Sequence, residues 1–358
     1  MEERNRESKH IIFSYYRISR TREFIESFRA ERSWAALQER LRVRRRDRRR
    51  AIGRRLSAAA VAVLCLGGGL WTWQRPKAEE PAVRAEACLF PERGGQAAFL
   101  TLADGREIDL SEQEGEIEQG GASNLNRELS YRRSEGGEAN SCTSFHTLTV
   151  PRGGEYRLML ADGSRVWMNA GSRLRYPERF GRSREVYLTG EAYFEVAKDS
   201  CRPFRVHTED YGVEVLGTRF NVTAYADETG RATLAGGSIK VTRGGEEVVL
   251  RPNEQAVMRE EGIRVCPVNA DLYTSWVQGR YIFRNTELKD IVARLSRWFN
   301  VDIHFRQEEL MHRRFAGIIL RDAELEFAVE VISRVAHVRF VREGEAIYIE
   351  QESFSNSQ

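Results

Sequence analysis

The sequence predicts a multidomain chain. Its parts are a short basic α-helical segment, one transmembrane helix, an all-β domain (a sandwich or a solenoid-like coiled stack of strands) and a small C-terminal α+β domain of βαβ–βαβ form. Three observations predict it. No residue between Leu56 and Gln74 is charged. From about residue 98 to 268, short apolar–polar alternations are separated by turn dipeptides. After residue 273 the periodicity becomes helical and two half-units repeat. At 358 residues the chain has room for two or three such domains.

Residues 1–55 carry 18 Lys/Arg against 8 Asp/Glu, and the remainder 38 against 45. A division of that kind puts the two parts in different surroundings. Phe24, Ile25, Phe28, Trp34, Leu37 and Leu41 recur at helical spacing, so residues 1–55 read as a basic helical segment. The segment is too short to bury a core of its own, and it either packs on a partner or stays loosely ordered.

The uncharged run fixes the orientation. As a helix, the segment from Leu56 to Gln74 spans about 28 Å, close to one hydrocarbon core. Nine arginines stand in residues 41–55 before it, and Trp71 and Trp73 close its far end. By the positive-inside rule the arginines face the cytoplasm and residues 75–358 lie outside, which makes the expected location a single pass of the inner membrane with a periplasmic C-terminus. The arginine run is then topogenic and faces anionic lipid, and no direct nucleic-acid partner is expected. A cleaved signal peptide is the competing reading; it needs cleavage near Trp73 and an n-region of 55 residues. Gly67, Gly68 and Gly69 each cost about 1 kcal/mol of helix propensity against alanine, which eases local unwinding or suits packing on another helix. Residues 75–97, with Pro76, Pro81 and Pro91, read as a linker.

Within residues 98–268, Tyr156, Leu158 and Leu160 alternate with Arg157 and Met159, and Val213 and Val215 flank Glu214. Asp104-Gly105, Asp162-Gly163, Gly236-Gly237 and Gly244-Gly245 mark the turns. The string LTLADG at 100–105 returns as LMLADG at 158–163, so both copies are expected to be strand–turn–strand. Residues 111–142 are rich in Glu, Gly and Asn and read as a long polar excursion.

Residues 273–350 change character. Leu288, Ile291, Val292, Leu295 and Phe299 form one helix face, and Leu325, Ala328, Val329, Ile332 and Ala336 another. Strands are expected at 281–283 and 301–305 around the first helix, at 315–320 and 338–341 around the second, and at 346–349. Glu287-Leu288, Val292 and Ser296-Arg297 match Glu324-Leu325, Val329 and Ser333-Arg334, which predicts a βαβ pair.

No catalytic constellation stands out: G-x-S-x-G, H-E-x-x-H and a phosphate-binding Gly-Lys-Ser/Thr loop are all missing, so the chain is not expected to be an enzyme or to need a cofactor. Glu191 and Glu195, four apart on a strand, stand about 13 Å apart, wider than a glycosidase pair, and read as solvated strand charges. His10, His146, His207, His304, His312 and His337 read as surface or cap residues. Cys88, Cys142, Cys201 and Cys266 follow the membrane segment without metal-ligand spacing, and their state as disulfides or buried thiols is open.

Four strings carry a family resemblance: VPRGGEYRLMLADGSRVWMNAGSRLRYP at 150–177, VYLTGEAYFEV at 186–196, FRVHT at 204–208 and VLGTRFNV at 215–222. In this order they resemble the FecR family of membrane anti-sigma regulators, and the C-terminal βαβ pair looks like the secretin/TonB short N-terminal fold. The resemblance implies a relay from an outer-membrane TonB-dependent transporter, importing an iron chelate or a glycan, whose periplasmic signalling domain touches this chain. The signal then reaches an extracytoplasmic-function sigma factor in the cytoplasm, and related regulators are processed by membrane proteases. Relatives have a fuller cytoplasmic helical domain than residues 1–55 offer, which reads as a truncated anti-sigma region. A membrane-anchored periplasmic binding or scaffolding protein with no sigma partner is the alternative.

The motif residues read as architecture. Gly163, Gly171, Gly190 and Gly217 are expected at turns or positive φ, next to Asp162 and Thr218. Trp167, Tyr176, Phe194, Phe204 and Phe220 are expected in the core, and Asn169 and Asn221 on turn backbone; Pro177, Glu191, Val196 and Val206 complete the motif positions.

Overall fold

The computed structural model describes residues 95, 97–117, 121–131 and 144–352. The basic segment, the run from Leu56 to Gln74, Cys88 and Cys142 lie outside them. Among the described residues no helix is long and apolar enough to cross a membrane.

Strands come in short runs because the apolar residues alternate. β1 (Phe99–Thr101) and β2 (Glu107–Asp109) form a hairpin, followed by β3 (Gly115–Ile117), β4 (Ala122–Leu125) and β5 (Glu128–Tyr131). Next come β6 (Phe145–Val150), β7 (Tyr156–Met159), β8 (Arg165–Met168), β9 (Ser172–Pro177) and the long β10 (Arg184–Glu195). Four hairpins complete the domain: β11 (Phe204–His207) with β12 (Gly212–Val215), β13 (Arg219–Ala224) with β14 (Arg231–Gly236), β15 (Ile239–Arg243) with β16 (Glu246–Leu250), and β17 (Glu254–Arg259) with β18 (Gly262–Pro267).

The two architectures left open by the sequence are combined here. β12 pairs with β15 in one sheet, while β13 pairs with β10 and β14 with β17 in the other. Successive hairpins thus alternate between two sheets and stack as a coil, while the sheets close on one core as a sandwich. Leu148, Leu174, Val186 and Val206 from one sheet share that core with Leu158, Val166, Phe194 and Phe220 from the other. Phe194 stacks on Phe220 with ring centroids 5.1 Å apart.

β10 joins the two sheets. Arg184–Tyr187 pair with β11 and Tyr187–Thr189 with β9, whereas the residues from Gly190 pair with β13. The change falls at Gly190, which has φ 98°, and a Cβ there would stand 2.7 Å from the Ser172 Cα. Only glycine tolerates both conditions. Burial alternates along the first half of β10 and is nearly continuous along the second, so the second half is covered on both faces.

Both LADG copies are hairpin turns. Gly105 donates its N–H to the Leu102 carbonyl, and Gly163 donates to that of Leu160. Asp162 accepts the Ser164 N–H at 2.9 Å and also takes an Arg184 guanidinium N–H at 3.0 Å. That ion pair is buried, and Arg184 further donates to the carbonyls of Ala197 and Arg202.

The polar excursion at 111–142 is corrected in its described part, which forms the meander β3–β4–β5 with β5 parallel to β7. A two-residue turn at Asn126 and Arg127, with φ 52° and 61°, closes β4 on β5. The weak alternation of Ala122, Asn124, Leu129 and Tyr131, with a polar residue at a buried position, hid these strands.

His146 is also corrected. It is buried, with Nδ1 2.7 Å from the Tyr131 hydroxyl, which in turn lies 3.0 Å from the Tyr176 hydroxyl. Burial holds its pKa below the ordinary 6.5, against the weaker pull of Glu178 and Asp104. An unfolded chain takes up this proton first as pH falls below 6.5. Stability from this site is therefore full above 6.5 and is lost as pH falls toward the lowered folded value. The denaturation midpoint of the full chain is expected to drop more between pH 7.5 and 5.5 in the wild type than in His146→Gln. Equal drops would contradict this assignment.

The C-terminal domain starts with a helical turn, α1 (Asp271–Thr274), and a 3-10 turn at Ser275–Gln278. Then follow β19 (Arg280–Glu287), α2 (Leu288–Phe299), β20 (Asp302–Phe305), β21 (Arg314–Leu320), α3 (Leu325–Ala336), β22 (Val338–Glu343) and β23 (Ala346–Gln351). The expected helix faces are the buried ones. The two halves end alike: Asn300 and His337, at matching positions, both adopt the left-handed cap conformation. The βαβ connectivity differs from expectation. β19 pairs with β21, and β20 lies in a separate sheet beside β23, so neither half forms a parallel βαβ unit on its own. Each helix instead bridges two sheets that both halves share.

Candidate functional site

The outward face of the second half of β10 is covered by the C-terminal domain, and the two cluster together as one unit. Ala170 and Tyr193 of the β domain belong to the apolar core that also holds Trp276, Tyr281, Leu295 and Trp298, with Trp167 packed against it. Trp167 meets Tyr193 edge-on at 5.6 Å. The motif tryptophan therefore serves this joint and not the sandwich core.

Glu191 sits at the centre of the joint, 6% exposed, which corrects its reading as a solvated charge. Its carboxylate accepts Asn169 Nδ2 at 2.7 Å, Asn221 Nδ2 at 2.8 Å and Thr223 Oγ1 at 3.1 Å. The two asparagines then reach the other domain through their free oxygens. Asn221 Oδ1 accepts the Trp276 indole N–H at 3.0 Å, and Asn169 Oδ1 accepts Arg321 at 3.1 Å as well as the Ala170 N–H. Each amide is thus oriented by a donor on one side and the carboxylate on the other. The expected bond of Asn169 to nearby backbone exists, but it is the smaller part of its role.

Arg321 is 2% exposed. Its guanidinium lies 3.6 Å over the Trp298 ring and 2.8 Å from a Glu155 carboxylate oxygen of the β domain. A planar, weakly hydrated cation suits a site where stacking and hydrogen bonds must replace water.

A second set of contacts holds the end of α2. Arg152 of the β domain donates to the carbonyls of Ser296 and Val301, at 3.1 and 2.8 Å, and pairs with Asp302 at 2.8 Å. The Gly153 N–H donates to the Arg297 carbonyl at 2.7 Å. These donors satisfy carbonyls that a helix end leaves open. Arg297 pairs with Glu228 and Asp227 and lies 3.9 Å over the Tyr225 ring. Burial works against the Arg297 charge, but Glu228 and Tyr225 more than offset it, so its pKa is raised. Burial also raises the Tyr225 hydroxyl, which donates to the Ala170 carbonyl at 2.7 Å.

Of the motif residues, Asn169, Glu191 and Asn221 form one network, and Gly171 and Trp167 flank it. Tyr176, Phe194, Val196, Phe204, Val206 and Phe220 lie in the sandwich core. Pro177 is buried at the end of β9, and Thr218 donates to the Ser238 carbonyl. Gly163, Gly171, Gly190 and Gly217 all have positive φ. The sequence marks Arg297 only as a position of the repeat, and gives no separate signal for Arg152, Glu155, Tyr225, Trp276 and Arg321. Arg152 and Glu155 stand inside the motif at 150–177, whereas Arg321 is one arginine after an apolar strand and gives no local signal. The arrangement has the chemistry of a rigid joint. Among the described residues no three His, Cys, Asp or Glu side chains group as a metal site, and Cys201 and Cys266 are free thiols.

The family described as FecR protein matches residues 146–240, and that described as FecR, C-terminal, matches residues 280–349. Two crystal structures of a candidate anti-sigma factor from Parabacteroides distasonis, at 1.65 and 2.50 Å resolution, are similar at 29% identity. The first has a TM-score of 0.54 and covers 57% of this chain and 98% of that one; the second has 0.55, with 58% and 99%. No curated protein matches the chain. The chain thus carries a FecR domain followed by a FecR C-terminal domain, and the two are joined through residues that lie in both matched regions.

Proposed function

We propose that this chain is a transmembrane anti-sigma regulator, not an enzyme, which carries a signal from the periplasm to an extracytoplasmic-function sigma factor. The main support is the pair of FecR domains, together with the solved candidate anti-sigma factors that share 29% of their residues with it. In this reading residues 1–55 face the cytoplasm and hold the sigma factor, residues 56–74 span the inner membrane, and residues 75–97 are a linker. Residues 98–268 and 273–350 are the periplasmic domains. The input is the signalling domain of an outer-membrane TonB-dependent transporter, and it acts on the C-terminal domain.

The buried joint bears on how the input travels. A contact on residues 273–350 is felt by the β domain because Glu191, Asn169, Asn221 and Arg321 make the two domains one body. A lone transmembrane helix has no packed intrachain partner in lipid to shift against, so cleavage by a membrane protease near Gly67, Gly68 and Gly69 is the simpler route across.

The reading requires the two ends of the chain on opposite sides of the membrane. A phosphatase reporter fused after Glu80 should be active, and one fused after Arg50 should be silent. Activity at Arg50 would overturn the orientation and the relay with it.

A further inference from the structure

The two long helices of the C-terminal domain occupy matching places in its half-units, but their outer faces differ. The repeat sets Asp290, Arg294 and Trp298 of α2 against Phe327, Val331 and Val335 of α3. On α2 the first two positions are charged, and Trp298, only 4% exposed, belongs to the core that the β domain shares. On α3 all three are apolar, and Phe327 and Val335 are 53% and 51% exposed. Val331 lies between them, resting on the domain core with part of its surface open. Spacing by four puts the three on one stripe of the helix. The half-unit does not require this stripe, since α2 is built without it. Apolar surface that the fold neither needs nor covers marks an interaction site.

The charges beside the stripe indicate what covers it. Glu326 and Glu330 stand on one flank in the first half of α3, and Arg334 and His337 follow on the same flank at its end. All four are exposed. Glu330 and Arg334 pair with each other along the helix, yet their side chains remain 57% and 77% exposed and open to a second partner. A partner of a single charge would match only half of this flank and oppose the other half. An antiparallel copy of the same helix matches all of it. With a two-fold axis at Val331, Phe327 meets Val335 of the second copy, and Glu330 lies beside its Arg334. The two helix dipoles also oppose each other in that arrangement.

We infer that the α3 face bearing Phe327, Val331 and Val335 is a two-fold contact between two copies of this chain. The relay proposed above needs only one copy, so this contact goes beyond it and does not depend on it. Burial of the stripe stabilises the pair, and the acidic-to-basic flank fixes its antiparallel sense. One helix pair makes a small interface, so the dimer is weak and forms in a concentration-dependent way.

The test is sedimentation of the purified full chain in detergent over a range of concentrations. The wild type should pass from monomer to dimer as concentration rises. The Phe327→Glu/Val335→Glu double variant should raise the dissociation constant at least tenfold, with thermal unfolding unchanged because both side chains are exposed. Glu330→Arg alone and Arg334→Glu alone should each weaken the dimer, because each sets like charges together across the axis. An equimolar mixture of these two single variants should dimerise as tightly as the wild type, since every pair across the axis is then opposite in sign. Each chain of the mixture still carries like charges along its own helix, so the recovery reports the contact between copies. A wild type that stays monomeric throughout would overturn the proposal. So would a dimer indifferent to these variants, which is held elsewhere, or a mixture no tighter than the single variants.

Discussion

Replacing Glu191 with alanine is expected to destabilise the joined β and C-terminal domains by about 3–5 kcal/mol, the range for breaking a buried charged network. The carboxylate accepts three side-chain donors, and the alanine would leave the Asn169 and Asn221 amides buried without it. The loss is not confined to the β domain. Those same amides orient their oxygens toward Trp276 and Arg321, so the C-terminal domain should also loosen. Glu191→Gln keeps the shape but sets an amide NH2 against one of the two asparagine donors, and should cost less. Denaturant unfolding of the full chain, with hydrogen exchange at the Trp276 indole, measures both effects. A change within about 0.5 kcal/mol, as for a solvated strand glutamate, would contradict the network.

Arg184→Met is expected to cost about 3–5 kcal/mol for a different reason. The guanidinium is buried against Asp162 and also donates to the Ala197 and Arg202 carbonyls, which ties the stretch after β10 to the β7–β8 turn. Methionine fills much of the volume but leaves the Asp162 carboxylate buried without its cation. Adding Asp162→Asn should recover part of the loss, since replacing both partners of a buried pair costs less than removing one. If the double variant is as unstable as the sum of the two singles, the pair is not the cause.

Much of the fold was legible because alternation and turn chemistry are local. The LADG turns, the strands around Val213 and Val215, and both helices of the C-terminal domain follow directly from residue order. The meander at β3–β5 was not legible, because its buried face includes Asn124, whose amide is satisfied by distant carbonyls at Leu110 and Gln113. The exchange of strands between the two halves of the C-terminal domain was hidden for a similar reason. Two half-units with matching patterns can pair within themselves or with each other, and periodicity is blind to the choice. Glu191 was misread because a glutamate on an alternating strand is usually solvated. Its burial depends on a second domain packing on that face, and its three donors lie 22, 30 and 32 residues away along the chain. The sandwich aromatics were recognisable from the family strings, but Arg321, at the heart of the joint, had nothing beside it to mark it.

The proposed relay connects a periplasmic input to a sigma factor. The most direct measurement is affinity purification of the tagged full chain from cells, followed by identification of bound sigma factor. An extracytoplasmic-function sigma factor should accompany the full chain and be lost when residues 1–55 are removed. A full chain that is abundant, membrane-inserted and free of any sigma factor would contradict it.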